Sequence, residues 1–144
     1  MLIPASKIFL KKKAELIENA NESIDVIKNC EGYKYVLSQL FDDVMRAIQR
    51  GVKIRVVFQY SNKIKFLPEH KALLSLFKAN GSSLRYIKDQ PLAVISIFDR
   101  KKVLMPLSSD GYPCQSPVLL SNNASLVNMA EAFFDSIWKK AKDI

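Results

Sequence analysis

Asp99 is placed to do chemistry: it ends the apolar run Ala93–Phe98 and is followed at once by Arg100-Lys101-Lys102. A carboxylate beside a guanidinium can hold a hydroxyl or an amine through one group and an anion through the other. Gln59 and Tyr60 close another strand-like run, while Ser108 and Asn122 stand in polar stretches further on. With Asp99 and Arg100 they form a candidate ligand-binding set, since small-molecule sites combine apolar walls with a few hydrogen-bonding groups. Each of these residues is equally an ordinary turn or cap residue, and Asp99 fits a turn before the basic triplet as well as it fits a pocket. His70, the only histidine, lies near the start of a helical segment with no partner assigned by spacing, so no general base is expected of it. Cys30 and Cys114 stand far apart without a CxxC or Cys/His cluster, which speaks against a zinc site and a disulfide framework. No catalytic residue, metal or cofactor is expected.

The elements that must position these residues read as one α/β domain over residues 1–144. From Lys7 to Ala20, Leu10, Ala14 and Ile17 recur at helical spacing, with Lys11, Lys12 and Lys13 on the outer side. This N-terminal helix, residues 1–20, also suits a connector to a preceding domain. Ser23–Ile27 alternates as a strand. The stripe Leu37, Leu40, Phe41, Val44, Met45 and Ile48 forms the clearest helix, closed by Gly51. Val52 to Phe58 then alternates as the next strand, and a strand, helix and strand in succession imply a right-handed crossover and parallel pairing.

Pro68 suits the first turn of a further helix with Leu73, Leu74 and Phe77 facing inward, ended by Gly81. Leu84–Ile87 reads as a strand. Ala93–Phe98, too uniformly apolar for a half-exposed strand, belongs in the middle of the sheet. Pro106 places the next strand at an edge or bulges it near its end. A short strand at Pro117–Leu120 and a terminal helix follow, the latter capped from Asn122-Asn123 and carrying Leu126, Met129, Phe133, Phe134, Ile137, Trp138 and Ala141. The expected fold is a single mixed, mainly parallel sheet with helices on both faces. Ligands of such sheets bind beyond the carboxyl ends of strands, where Asp99, Gln59 and Tyr60 are expected to stand side by side.

Composition narrows the function. With 49% hydrophobic and 25% charged residues the chain is globular, and no apolar run approaches the ~20 residues of a membrane span. The N-terminus lacks a secretory pattern, so a cytoplasmic protein is expected. A net charge of +8 suits an anionic partner, but the lysines are dispersed and speak to encounter and solubility more than to a site.

Four segments carry a family resemblance: Ala20-Asn21-Glu22-Ser23-Ile24-Asp25-Val26, then Ala47 to Val57 (AIQRGVKIRVV), then a strand ending in Asp99, then Phe133-Phe134-Asp135-Ser136-Ile137-Trp138. In this order they resemble the phospholipase D-like fold, and more narrowly the C-terminal effector domain of archaeal TrmB-type transcriptional regulators. Active enzymes of that fold carry HxKxxxxD, whose histidine attacks phosphorus and whose lysine holds the phosphate. With its aspartate on Asp99, the histidine and lysine positions fall on Leu92 and Val94, both apolar. The resemblance therefore implies a non-catalytic ligand-sensing and dimerisation domain, with a small-molecule effector and with DNA reached through a winged-helix domain preceding Met1. A degenerate phosphodiesterase and a basic nucleic-acid-binding module are the alternatives. The sugar-binding members carry a further β domain, so a sugar is not implied here.

Overall fold

The computed structural model describes residues 1–3, 8–29, 39–59, 68–89, 93–107 and 117–143, without the side chains of residues 8 and 68–70. Its elements are β1 (Leu2–Ile3), α1 (Ile8–Asn19), β2 (Ser23–Lys28), α2 (Phe41–Gln49), β3 (Lys53–Gln59), α3 (Pro68–Ala79), β4 (Ser83–Ile87), β5 (Ile95–Phe98), β6 (Lys102–Pro106), β7 (Val118–Ser121), α4 (Ala124–Lys140) and β8 (Lys142–Asp143). All eight strands join one sheet in the order β1-β7-β6-β5-β2-β3-β4-β8.

Pairing follows the connections. β2, β3 and β4 are parallel, each joined to the next through a helical crossover, while β5, β6 and β7 add on antiparallel. The sheet is mixed, as expected, but parallel pairing is confined to the neighbours β2, β3 and β4. β5 is central and buried throughout, in register with β2 from Ile27↔Ile95 to Ile24↔Phe98. The strand after it is not at an edge: β6 lies between β5 and β7, and Pro106 is its last residue, where a missing N–H matters least. The short pieces Leu2–Ile3 and Lys142–Asp143 cover the two edges.

Alternation along the strands builds two cores, because successive side chains point to opposite faces. One face sends Ile24, Val26, Ile54 and Phe58 against α1, α2 and α3; the other sends Ile27, Val57, Ile95, Ile97 and Val103 against α4, around the fully buried Phe134. Helices thus cover both faces. α1 is part of this body, burying Phe9, Leu16 and Ile17, and Lys13 lies on that inner face rather than the outer side. Its last carbonyls are satisfied from α2's end, where Arg50 donates to Ile17 O at 2.8 Å and to Ala20 O at 3.0 Å. Gly51 and Gly81 take positive φ after α2 and α3, the left-handed cap that glycine adopts without strain. Asn123 caps α4 by accepting from Leu126 N at 3.1 Å.

Candidate functional site

Asp99 belongs to the turn between β5 and β6. Its carboxylate accepts three backbone N–H groups from the segment that opens β2: Asn21 and Ser23 at 3.1 Å and Glu22 at 2.7 Å. Partial burial pushes its pKa up, but the donations from Glu22, Ser23 and Asn21, with Lys101 nearby, prevail and hold it below the usual carboxylate value. Asp99 and Arg100 both have φ of +55°, and Lys101 N donates to Phe98 O at 3.0 Å, so the turn has the paired left-handed residues of a tight hairpin. Asp tolerates that conformation better than Ala does. Asp99→Ala should therefore lose both the acceptor and the local preference, lowering stability by about 2–4 kcal/mol, and Asp99→Asn by clearly less. Urea unfolding of the two variants checks this; equal losses would remove the conformational half of the argument.

The sheet separates the residues that sequence reasoning placed together. Because β5 runs antiparallel to β2, Asp99 abuts Ser23, donating its N–H to Ser23 O at 2.8 Å, at the amino ends of β2 and β3. Gln59 ends β3 six residues beyond Lys53, the partner of Ser23, which is ~20 Å away at a strand's rise. Gln59 therefore cannot share a small ligand with Asp99. Asn122 follows Ser121, which pairs with Val103, so it stands at Asp99's end, exposed and two strands away. Arg100 is exposed in the same turn as Asp99. Tyr60, Ser108, Leu92, Cys30 and Cys114 lie outside the described residues, as does the side chain of His70. Val94, buried, precedes β5 and falls one step beyond Ile27↔Ile95, beside Lys28.

At Asp99's end the sheet opens a cleft of about 350 Å³, lined by Ser23, Asp25, Lys53, Ile54, Arg55, Gly81, Ser83 and Arg100. This is within the usual size of a small-molecule site. Its floor is an ion pair. Asp25, only 1% exposed, accepts from Arg55 Nε at 2.8 Å and from Arg55 Nη2 at 2.9 Å, a two-pronged contact that keeps the guanidinium pKa high. The guanidinium carbon of Arg55 also sits 4.7 Å from the Phe134 ring centre and 5.5 Å from that of Trp138. Asp135 stands 3.7 Å away, and burial, with Asp25 adding, pushes the Glu131 carboxyl up against the pull of Arg100. Arg55 is thus neutralised. Lys53 and Arg100 have no ion pair within 4 Å among the described residues, although Arg100 acts on Glu131 at longer range.

The cleft residues Ser23, Asp25, Lys53, Arg55 and Ser83 were missed from the sequence because they alternate out of view on strands read for their apolar partners. One signal was present: Asp25 and Arg55 occupy matching positions of two adjacent buried strands. A second missed feature lies on the other face at the far end of β2. Lys13 on α1 and Lys28 on β2 are 4% and 5% exposed and line one apolar cavity. Lys13 is four residues from Phe9 and from Ile17, in the apolar stripe, where a lysine is out of place.

No protein-family model matches the chain, and no curated protein does. Solved structures do. TrmBL2, an archaeal chromatin protein with a novel mode of DNA binding, superposes on all of this chain with a TM-score of 0.78 at 22% identity. The chain spans 54% of TrmBL2's length. NucT from Helicobacter pylori matches with a TM-score of 0.76 at 15% identity, over 100% of this chain and 98% of NucT. Nuc from Salmonella typhimurium, a phospholipase D family member, matches with a TM-score of 0.76 at 14% identity, over 100% of this chain and 96% of Nuc. The fold is phospholipase D-like. Among the described residues no helix is long and apolar enough to cross a membrane.

Proposed function

We propose, from the phospholipase D-like fold and the basic cleft at Arg100, that this chain is a non-catalytic effector-binding and dimer-forming module of a DNA-associated regulator. The observation that carries the reading is the buried Val94 where the motif ending in Asp99 needs its phosphate-holding lysine. Leu92, at the nucleophile's position, is likewise apolar. Covalent phosphodiester cleavage requires a nucleophile and a cation on the transferring group, and neither side chain supplies one. The likeness to a DNA-binding chromatin protein over this chain's whole length supports the regulatory side. A twofold pair is the commonest assembly for such a module.

The effector that suits the cleft is a small anion bearing hydroxyls: Lys53 and Arg100 supply charge, and Ser23 and Ser83 supply hydrogen bonds. Arg100 takes a left-handed backbone that a non-glycine residue adopts at a cost of about 1 kcal/mol, a local strain of the kind found at ligand sites. A ligand that binds one dimer arrangement better than another would shift the spacing of attached DNA readers.

The test combines light scattering with a thermal-shift screen of phosphorylated and carboxylated metabolites on wild type and on Lys53→Ala with Arg100→Ala. Expected are the mass of two chains and a stabilising compound whose effect the double substitution abolishes. Equal stabilisation of the variant, or phosphodiester hydrolysis at an enzyme-like rate, would overturn the reading. A second reading, direct contact of this face with duplex DNA, is favoured by the net charge of +8. It takes precedence if sequence-selective DNA binding survives salt well above physiological.

A further inference from the structure

Two buried lysines meet on the face of the sheet away from the cleft. Lys13 comes from α1 and Lys28 from the last position of β2, and both line one cavity while being 4% and 5% exposed. Burial lowers both pKa values, Lys28 to about 8 and Lys13 well below the ordinary value, with Lys28's charge adding to the effect on Lys13. Among the described residues no carboxylate is within salt-bridge distance of either. Lys13 Nζ also stands 5.9 Å from the centre of the Phe9 ring.

Beneath the amines is a cavity of about 60 Å³, walled by Ile17, Val26, Val44, Phe58, Leu74 and Phe77. Ser82 Oγ lines it too, buried without a hydrogen-bond partner among the described residues. A water-sized group needs roughly 10–15 Å³ by this measure, so the cavity admits a chain of about four to six such groups.

We propose that this cavity is a second small-molecule site, taking a short aliphatic carboxylate whose head lies between Lys13 and Lys28 and whose tail enters the apolar chamber. The inference is independent of the effector cleft. Buried cations of like sign repel and lack solvent, and one anion between them relieves both penalties through charge-assisted hydrogen bonds. A carboxylate carries the single charge the pair can offset. Phosphate would bring two charges and two more oxygens into a site with no described guanidinium. The walls reward methylenes, and the volume limits their number.

Titration calorimetry of the whole chain with butyrate, octanoate and inorganic phosphate at matched ionic strength tests this, run in two buffers of different ionisation enthalpy. Butyrate should bind saturably with proton uptake near and above pH 8, since the anion raises the lysine pKa values. Its affinity should fall about tenfold per pH unit above 8. Octanoate should be too long and phosphate too highly charged. Lys13→Met and Lys28→Met, which leave the cavity lined by a similar apolar stem, should each abolish butyrate binding. Equal heats from phosphate, no proton uptake by wild type, or binding retained in both variants would overturn the proposal. The proton count needs wild type alone, so it decides the matter even if a variant folds poorly.

Discussion

Asp25→Ala should destabilise the chain by about 3–5 kcal/mol, the largest loss expected of any single polar substitution here. The carboxylate is 1% exposed and holds both prongs of Arg55 at 2.8 and 2.9 Å. Removing it strands a guanidinium wedged over Phe134 and Trp138 beneath α4. Asp135 at 3.7 Å and Glu131 remain to receive part of that charge, which favours the lower half of the range. The pair itself contributes much less than its breakage suggests, because two charges taken from water recover little more than their desolvation. Asp25→Leu combined with Arg55→Met should therefore restore most of the loss. Urea unfolding with an unchanged m-value measures both; a single-variant loss below about 1 kcal/mol would mean that water or a neighbour already serves Arg55. The same ion pair sets the character of the cleft. With Arg55 satisfied by Asp25, Lys53 and Arg100 are the cations left to meet a ligand, with Glu131 and Asp135 nearby.

What was legible in the sequence follows from what local pattern encodes. The helix ending at Gly51, the alternation of Ser23–Ile27 and Val52–Phe58, and the burial of the run Ala93–Phe98 are each written in a window of a few residues, and each is found, Ala93 alone being half-buried. The parallel β2–β3 pair is found too, since a helix of this length between strands leaves few alternatives. The direction of β5 is not written locally. It depends on how the chain between Ile87 and Ile95 returns to the sheet. An antiparallel return sends Asp99 to the amino ends of β2 and β3 and leaves Gln59 at the opposite end. One undetermined direction thus divides the candidate site, although Asp99, Arg100 and Asn122 remain at one end. Lys13 was misplaced for a different reason. Read as one of three adjacent lysines it belongs outside, but the helical period puts it inside with Phe9 and Ile17, and a charge run cannot show which of its members the core has claimed.

That buried amine should make the protein more stable in mild alkali than at neutral pH. In the native state Lys28 releases its proton near pH 8, whereas in the unfolded chain it holds it to about 10.5. Between those values the unfolded state binds more protons, so each rise in pH favours folding; below 8 both states are protonated at Lys28 and the burial penalty is present in full. The gap corresponds to roughly 3 kcal/mol recovered across the window. Lys13, lowered further by burial and by Lys28, acts in the same direction from a lower pH. Other lysines and the tyrosines also titrate in alkali, so the measurement is a difference: wild type against Lys13→Met with Lys28→Met, by urea unfolding from neutral pH to 10.5. The double variant should begin more stable and stay nearly flat, with the two curves converging as the amines of wild type lose their charge. Parallel curves would mean that the pair is compensated in the native state, and would remove the electrostatic reason for an anion to enter the cavity. With butyrate present, wild type should gain its stability at neutral pH instead, because the bound carboxylate offsets the charge that alkali would otherwise have to remove.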